Sequence, residues 1–320
     1  MYEALQKQGV HPKLVHYLYR LNRESSNTLI INNREVPLEV GRGVRQGDCL
    51  SPRLFTSTLE ESFRALDWSR KGININGRYL SHLLFADDAV LISHDSRQIQ
   101  HMVDELIVTL GSVGLTLNAS KTVAITTNPR GREVTINGQS VRVVERCVYL
   151  GQEVSLDHNP FKSEIGRRIR AGRFAFTKYH SLLTNRKVPM PIKQRLFNGA
   201  ILPALTYGCE TWALTRKLQN ELAVAQRRLE RLVLGISILD RRTNDWVRRR
   251  TGLKDVTRFC EERKRAWAGR LARGDRSGWA GAIVEWHPRG PTRKKGRPAV
   301  RWRDSLVETL GANFMAALSI

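Results

Sequence analysis

The ten residues 83–92, Leu-Leu-Phe-Ala-Asp-Asp-Ala-Val-Leu-Ile, decide the fold of this chain. Two adjacent acids, Asp87 and Asp88, lie between two apolar runs with the composition of strands. This pattern predicts a largely buried hairpin that carries both carboxylates at its tight turn. Carboxylates this close repel each other unless a cation neutralises them, and Mg²⁺ is a hard cation that binds one or two carboxylates together with substrate phosphates. The alternative is a solvated turn without a ligand.

A second candidate site precedes the hairpin, in residues 43–52, Gly-Val-Arg-Gln-Gly-Asp-Cys-Leu-Ser-Pro. The glycines let the backbone approach a ligand closely, and the helix start that follows favours phosphate. The alternative is a capping loop, with Ser51 as the N-cap and Pro52 in the first turn. That alternative leaves the residues Arg45, Gln46 and Gly47 without a role.

A third candidate lies beyond the hairpin, in residues 114–122, Gly-Leu-Thr-Leu-Asn-Ala-Ser-Lys-Thr. A lysine at the edge of a metal site can steady a triphosphate or act as a general acid, which makes Lys121 the candidate here. A solvated lysine in a turn is the alternative.

The remaining pattern predicts an α+β fold. Helical periodicity covers residues 1–8, 12–22, 52–68 and 98–113, and strand-like runs at 28–31 and 36–40 flank an Asn32-Asn33 turn. From residue 160 onward the chain has long arginine-rich helical segments, best developed at 163–183, 191–202 and 218–234. We expect three segments: 1–160, a helical segment 161–240, and a basic C-terminal extension 241–320.

The charge is strongly positive and unevenly distributed. The net charge is +23, and residues 151–320 hold 35 Lys and Arg against 15 Asp and Glu, whereas residues 1–150 hold 18 against 15. Such an excess indicates an anionic partner, and phosphate contacts make nucleic acid the favoured one. Solvated helix faces are the alternative for any single cluster. The candidate contacts with a nucleic-acid backbone are Arg167, Arg168, Arg227, Arg228, Lys294, Lys295 and Arg297.

Two other sequence features limit the class of protein. The four cysteines, Cys49, Cys147, Cys209 and Cys260, are too widely spaced for a zinc knuckle or a disulfide framework, so reduced thiols are expected. No apolar run reaches the length of a membrane-spanning helix, and the N-terminal residues lack the apolar core of a signal peptide.

Taken together and in order, these strings resemble the successive motifs of a reverse transcriptase, in particular that of non-LTR (LINE-type) retrotransposons. The resemblance covers about residues 1–160. It is carried by the strings Arg45-Gln46-Gly47, Ser51-Pro52-Arg53-Leu54-Phe55, Phe85-Ala86-Asp87-Asp88, Gly114-Leu115 with Asn118 and Lys121-Thr122, and Tyr149-Leu150-Gly151.

The resemblance implies a right-hand polymerase, with a partial palm of antiparallel sheet and helices followed by a mostly helical, basic thumb and a C-terminal extension. It implies that Asp87 and Asp88 are catalytic and bind Mg²⁺, with Mn²⁺ as a substitute. It further implies that Arg45, Gln46, Gly47 and Lys121 contact nucleotide and template, and that Tyr149, Leu150 and Gly151 form the primer grip. The expected partners are an RNA template, a DNA primer and deoxynucleoside triphosphates, in an intracellular ribonucleoprotein, nuclear and cytoplasmic, without a membrane. Nothing in the sequence sets the oligomeric state.

One departure from the family pattern stands out. The family places another metal-binding aspartate on a strand shortly before the helix that begins here at Met1, and no residue of this sequence supplies it. We therefore expect an N-terminally truncated chain that is inactive by itself. The alternatives are a non-catalytic RNA- or DNA-binding protein derived from such an element, or a decayed gene; a group II intron maturase would leave the Arg- and Trp-containing tail unexplained.

Overall fold

A computed structural model of the chain describes residues 1–25, 27–38, 43–128, 131, 133–157, 161–274, 278–286 and 300–318. The chain forms two compact units. The first comprises Met1–Ala124 and Asn128–Val143, and the second comprises Ile125–Thr127 and Val144–Ile320. The unit boundary precedes residue 144, so it falls earlier than the expected segment boundary at 160.

The described part of the first unit combines four helices with short strands. Its elements are α1 Tyr2–Lys7, α2 Pro12–Arg23, β1 Asn27–Ile31, β2 Arg34–Leu38, α3 Ser51–Arg64, β3 Ile73–Ile75, β4 Arg78–Leu80, β5 His82–Phe85, β6 Asp88–Leu91, α4 Ser96–Ser112, β7 Val123–Ala124, β8 Thr135–Ile136, β9 Gln139–Ser140 and β10 Arg142–Val143.

Strands of the first unit pair two by two rather than forming one broad sheet. β1–β2, β3–β4, β5–β6 and β8–β9 are antiparallel hairpins, and β7 pairs in parallel with β10. The predicted Asn32-Asn33 turn is confirmed, since Ile31 pairs with Arg34 and both asparagines have positive φ, as a type I′ turn requires. The mixture of helices and antiparallel hairpins confirms the α+β class.

Two hydrophobic clusters position the candidate site. In the first, Leu59 and Phe63 of α3 pack against Met102, Leu106 and Leu110 of α4. Leu84 and Leu91 of the β5–β6 hairpin pack against this cluster, as do Leu115 and Leu117. In the second, Val103 of α4 packs with Ile136 and Val141, again with Leu91 and Leu117 at its edge.

The second unit begins with a hairpin and is otherwise helical in its described part. Its elements are β11 Arg146–Tyr149, β12 Gln152–Ser155, α5 Phe161–Lys178, α6 His180–Thr184, α7 Met190–Leu196, a π-helical turn Phe197–Ile201, α8 Leu202–Thr206, a 3₁₀ turn Cys209–Thr211, α9 Arg216–Leu234, α10 Asn244–Thr251, α11 Val256–Arg273, α12 Trp279–Glu285, α13 Asp304–Leu310 and α14 Phe314–Ala317.

The long helices predicted in this half lie at the predicted positions, but two of them are interrupted. The segment 163–183 is two helices, because the chain breaks at Tyr179 between α5 and α6. The segment 191–202 contains the π-helical turn just before Pro203. Proline lacks the N–H that a regular α-helix requires at that position, so the local widening is the expected accommodation.

A single core spans most of the second unit. It includes Phe197, Leu205 and Trp212 and extends to Leu253 and Val256 at the start of α11. Residues beyond 240 therefore belong partly to the same packed body as α5–α9 rather than to a separate extension. All four cysteines are free thiols, and Cys209 and Cys260 are buried in this unit. Among the described residues, no helix has both the length and the hydropathy needed to cross a bilayer.

Candidate functional site

The β5–β6 hairpin presents the acids that the sequence predicts at its turn. Phe85 pairs with Asp88, so the loop consists of Ala86 and Asp87. Ala86 has a φ of 53°, a left-handed conformation that glycine adopts easily and that costs an L-residue about 1–2 kcal/mol. Both aspartates, hereafter the aspartate pair, are exposed. Their side chains have no hydrogen bond or ion pair with any residue the structure describes.

One face of the β5–β6 hairpin is held in place by packing against α3 and α4. Leu84 points into the cluster between α3 and α4, whereas Phe85 on the other face is 59% exposed. The ring of His82 lies 4.8 Å from that of Phe63 and 5.5 Å from that of Trp68. Burial lowers the pKa of His82, which favours the neutral ring in this packing. No motif in the sequence predicted a role for this histidine.

The loop before α3 turns at Gln46-Gly47. Gly47 has a φ of 89°, a conformation in which glycine is favoured, and Arg45 and Gln46 are exposed. The alternative for this loop, with Ser51 as the N-cap, is wrong in that detail, because α3 begins at Ser51 and no side-chain cap bond is made there. Asp48 instead accepts a hydrogen bond from the Leu50 backbone N–H at 2.9 Å, which closes the loop one turn earlier.

Lys121 lies on a turn that Asn118 organises. The Asn118 side chain accepts hydrogen bonds from the Lys121 backbone N–H at 3.1 Å and from the Ser120 hydroxyl at 2.7 Å. The Lys121 side chain is exposed and has no hydrogen-bond or ion-pair partner within the described residues. Leu117 packs into the same clusters as Leu91 of the hairpin, so the turn and the aspartate pair project from one core.

The aspartate pair offers the type of ligand atom that Mg²⁺ prefers, but only two carboxyl groups. Carboxylate oxygens are the ligands that Mg²⁺ prefers. In the part of the chain that the structure describes, no group of three or more His, Cys, Asp or Glu residues is arranged to hold a metal ion. The pair therefore provides two carboxylates without a third acid beside them among these residues.

In the second unit, the tip of the β11–β12 hairpin is firmly anchored. Leu150 and Gly151 have φ angles of 47° and 77°, which defines a type I′ turn. The Tyr207 hydroxyl donates to the Leu150 carbonyl at 3.1 Å, and both Arg167 and Arg168 donate to the Gly151 carbonyl. Tyr207 is an exposed residue, and its hydroxyl fixes this turn.

Arg168 is buried, and Arg167 is only partly exposed. Both pair with Glu164, which is 1% exposed, at 2.8 and 2.6 Å. The guanidinium of Arg168 also lies 4.6 Å from the centre of the Tyr207 ring. The burial of Arg168 does not fit the predicted nucleic-acid contact, because Glu164 and the Gly151 carbonyl already occupy its donors. Arg167 makes the same two contacts but stays partly exposed.

Arg227 is likewise internal, whereas its neighbour Arg228 is not. Arg227 is 4% exposed and forms ion pairs with Glu230, which is fully buried, and with Asp255 at 2.7 Å. Burial raises the pKa of Glu230, an effect that the positive charge of Arg227 opposes. Arg228 is exposed and stays a candidate contact. The predicted contacts Lys294, Lys295 and Arg297 lie outside the described residues.

Comparisons with known proteins agree with the resemblance. Residues 2–154 match the family model of reverse transcriptase (RNA-dependent DNA polymerase). An uncharacterized transposon-derived protein of Caenorhabditis elegans is 32% identical over 243 residues, which cover 73% of this chain and 86% of that protein. This match is longer than the span 2–154, so the similarity continues into the helical second unit.

Retrotransposon polyproteins are also similar. The Pol polyprotein from the type-2 retrotransposable element R2DM of Drosophila melanogaster is 36% identical over 104 residues, covering 32% of this chain and 10% of that protein. The Pol polyprotein from an R2 element of Bradysia coprophila is 28% identical over 131 residues, covering 41% of the chain and 15% of that protein. The chain therefore belongs to the reverse-transcriptase family of non-LTR retrotransposons. It spans a small part of the R2 polyproteins and most of the nematode relative.

Proposed function

We propose that this chain is the catalytic-palm and thumb portion of an RNA-directed DNA polymerase, which extends a DNA primer on an RNA template. The observation that carries this proposal is the exposed aspartate pair on a hairpin whose inner face is locked into the core of the first unit. Carboxylates held on a rigid element, without a protein partner among the described residues, are available to a ligand.

In this proposal the aspartate pair holds Mg²⁺, with Mn²⁺ as a substitute. In polymerases such ions activate the attacking oxygen and stabilise the leaving oxygen. Arg45, Gln46 and Gly47 lie against the incoming nucleotide and the template base, where a glycine leaves the backbone accessible. Lys121 steadies the triphosphate, and its turn is set by Asn118.

The second unit acts as the thumb in this proposal, with Tyr149, Leu150 and Gly151 as the primer grip. The anchoring of the Leu150 and Gly151 carbonyls supports this role, because a strand of nucleic acid is positioned best by backbone that does not move. Exposed cations such as Arg228 then contact phosphates without reading sequence.

We also propose that the chain has little polymerase activity by itself. The aspartate pair offers only two carboxylates as ligands for two ions. The family pattern adds another aspartate, and this further carboxylate would complete a two-ion site.

Metal binding tests the site directly. Titration of Mn²⁺ followed by electron paramagnetic resonance is expected to show an ion held by the wild-type chain and lost when Asp87→Asn and Asp88→Asn are combined. Asp104→Asn is the matched control, because Asp104 is an exposed acid of the same unit that pairs with Gln100 on α4. Equal loss in Asp104→Asn, or retention in the double variant, would refute the assignment.

Primer extension tests the activity. With Mg²⁺, an RNA template and a DNA primer, the isolated chain is expected to give little or no product, and adding a segment with the family's further aspartate is expected to restore synthesis. Strong extension by the chain alone that Asp87→Asn abolishes would disprove the inactivity and support the polymerase assignment.

A second candidate function is nucleic-acid binding without catalysis. The net charge of +20 on residues 151–320 favours it. Filter binding with a steep salt dependence, and no synthesis even when the further aspartate is supplied, would select this function.

A further inference from the structure

The loop between α9 and α10 exposes two large apolar side chains at its tip. Gly235 ends α9 with a φ of 66°, and α10 starts at Asn244. Between them Ile238 is 76% and Leu239 is 90% exposed. We call these two residues the 238–239 tip. Two adjacent large apolar side chains this exposed leave an apolar patch in water, which burial against a ligand would stabilise.

The loop is built to hold this tip outward. The Asp240 carboxylate accepts hydrogen bonds from the Ser237 N–H at 2.6 Å and from its hydroxyl at 3.0 Å. The Arg241 N–H donates to the Ile238 carbonyl at 3.0 Å, which closes the turn. Because these bonds already order the loop, a ligand that covers the tip does not have to bear the full entropic cost of ordering it.

Below the tip, the loop is tied to α9 and surrounded by arginine. The Arg231 guanidinium donates to the Arg242 carbonyl at 3.1 Å and to the Asn244 side chain at 3.0 Å. Residues 227–250 hold eight arginines and no lysine against three acids. Six of these arginines are exposed in and around the loop: Arg228, Arg241, Arg242, Arg248, Arg249 and Arg250.

The charge and chemistry together select the class of ligand. Arginine binds phosphate through a planar fork of donors, which a lysine cannot provide. Phosphates alone do not cover an apolar tip, whereas the face of a base pair does. Inserting side chains into an intact duplex requires unstacking of a base step. A junction between duplex and single strand already exposes one such face, so it avoids that cost.

We propose that the 238–239 tip binds the terminal base pair at a duplex–single-strand junction of nucleic acid, while the flanking arginines contact the phosphates. This inference rests on the proposed function in taking nucleic acid as the ligand. The proposal adds to that function a site that recognises the end of a duplex, where the two strands separate.

The test uses the full chain and a DNA junction with 2-aminopurine at the terminal base pair. The wild-type chain is expected to change the fluorescence of this base and to bind the junction about tenfold more tightly than the combined variant Ile238→Ser, Leu239→Ser. The control is Val108→Ser, which replaces an apolar side chain that is 74% exposed on α4. We expect it to behave as the wild type.

The outcomes separate this proposal from the proposed function. If the double variant binds the junction and changes the fluorescence as the wild type does, the tip has no role and the proposal fails, although salt-dependent binding still supports nucleic-acid function. If the wild-type chain binds no nucleic acid, the proposed function fails first. If the double variant loses only binding to vesicles of anionic lipid, the tip is a membrane contact and the proposal is overturned.

Discussion

Lys264 gives the second unit a pH dependence that can be measured. It lies on α11, is 7% exposed, and donates to the Trp212 carbonyl at 3.0 Å and to the Ser305 hydroxyl at 2.8 Å. Its ammonium also lies 5.1 Å from the centre of the Trp302 ring. Lys264 therefore joins the C-terminal residues 302–305 to α11 and to the turn before α9.

Burial lowers the pKa of Lys264 from 10.5 to about 8, although Asp304 and Glu261 act in the opposite direction. At 1.36 kcal/mol per unit, this shift corresponds to about 3 kcal/mol. Between these two pH values the unfolded chain binds the proton and the folded chain does not, so the free energy of unfolding rises with pH across this window. Below pH 8 both states are protonated, and the cost of burying the charge is constant.

The assay compares wild type with Lys264→Met in urea unfolding between pH 7 and 10.5, followed by tryptophan fluorescence. The variant loses two hydrogen bonds at every pH, which sets a constant offset. The wild type is expected to gain about 3 kcal/mol over the variant from pH 7 to 10.5. Lys217→Met is the control, because Lys217 is exposed and surface changes stay within about 0.5 kcal/mol. A flat difference between wild type and Lys264→Met would refute the reasoning.

Two further pairs of variants test the second unit and the glycines. Arg227→Ala is expected to destabilise the fold by about 3–5 kcal/mol, because it leaves Glu230 buried without its partner; Arg228→Ala should change the free energy of unfolding by less than about 0.5 kcal/mol and weaken salt-dependent nucleic-acid binding. Equal stability losses would contradict this. Gly151→Ala, at a φ of 77°, should cost about 1–2 kcal/mol in urea unfolding, whereas Gly111→Ala, in open space on α4, should stabilise by about 0.5–1 kcal/mol. A stabilising Gly151→Ala would show that the turn is not strained.

Local turn chemistry explains why the hairpins could be predicted. Asn32 and Asn33 adopt the left-handed conformation that a two-residue hairpin requires, and the apolar runs on either side of the aspartate pair form its strands. Those signals lie within a few residues of one another in sequence. The strain at Ala86 could not be predicted in this way, because alanine carries no preference for a positive φ; the register of the hairpin imposes it.

The partners of the arginines could not be predicted because they depend on distant residues. Arg227 donates a hydrogen bond to Asp255, which lies 28 positions later in the chain. Arg168 donates to the Gly151 carbonyl, which lies 17 positions earlier. The sequence predicts whether an arginine lies on the buried or the exposed face of a helix only where the apolar residues around it recur with a regular helical period. Here the arginines are so frequent that some fall on the buried face, where a buried acid such as Glu164 neutralises them.

The positive net charge of residues 151–320 depends little on which arginines are buried, whereas the assignment of a single arginine as a phosphate contact depends on it entirely. Each internal pair removes one acid together with one or two cations from the surface, so burial lowers the excess of +20 on residues 151–320 only slightly. Burial of Glu164 and Glu230 withdraws negative charge from the surface as well. Among the described residues, exposed side chains such as Arg228 carry part of this excess. The charge balance therefore favours an anionic partner for this half of the chain, although Arg168 and Arg227 are buried.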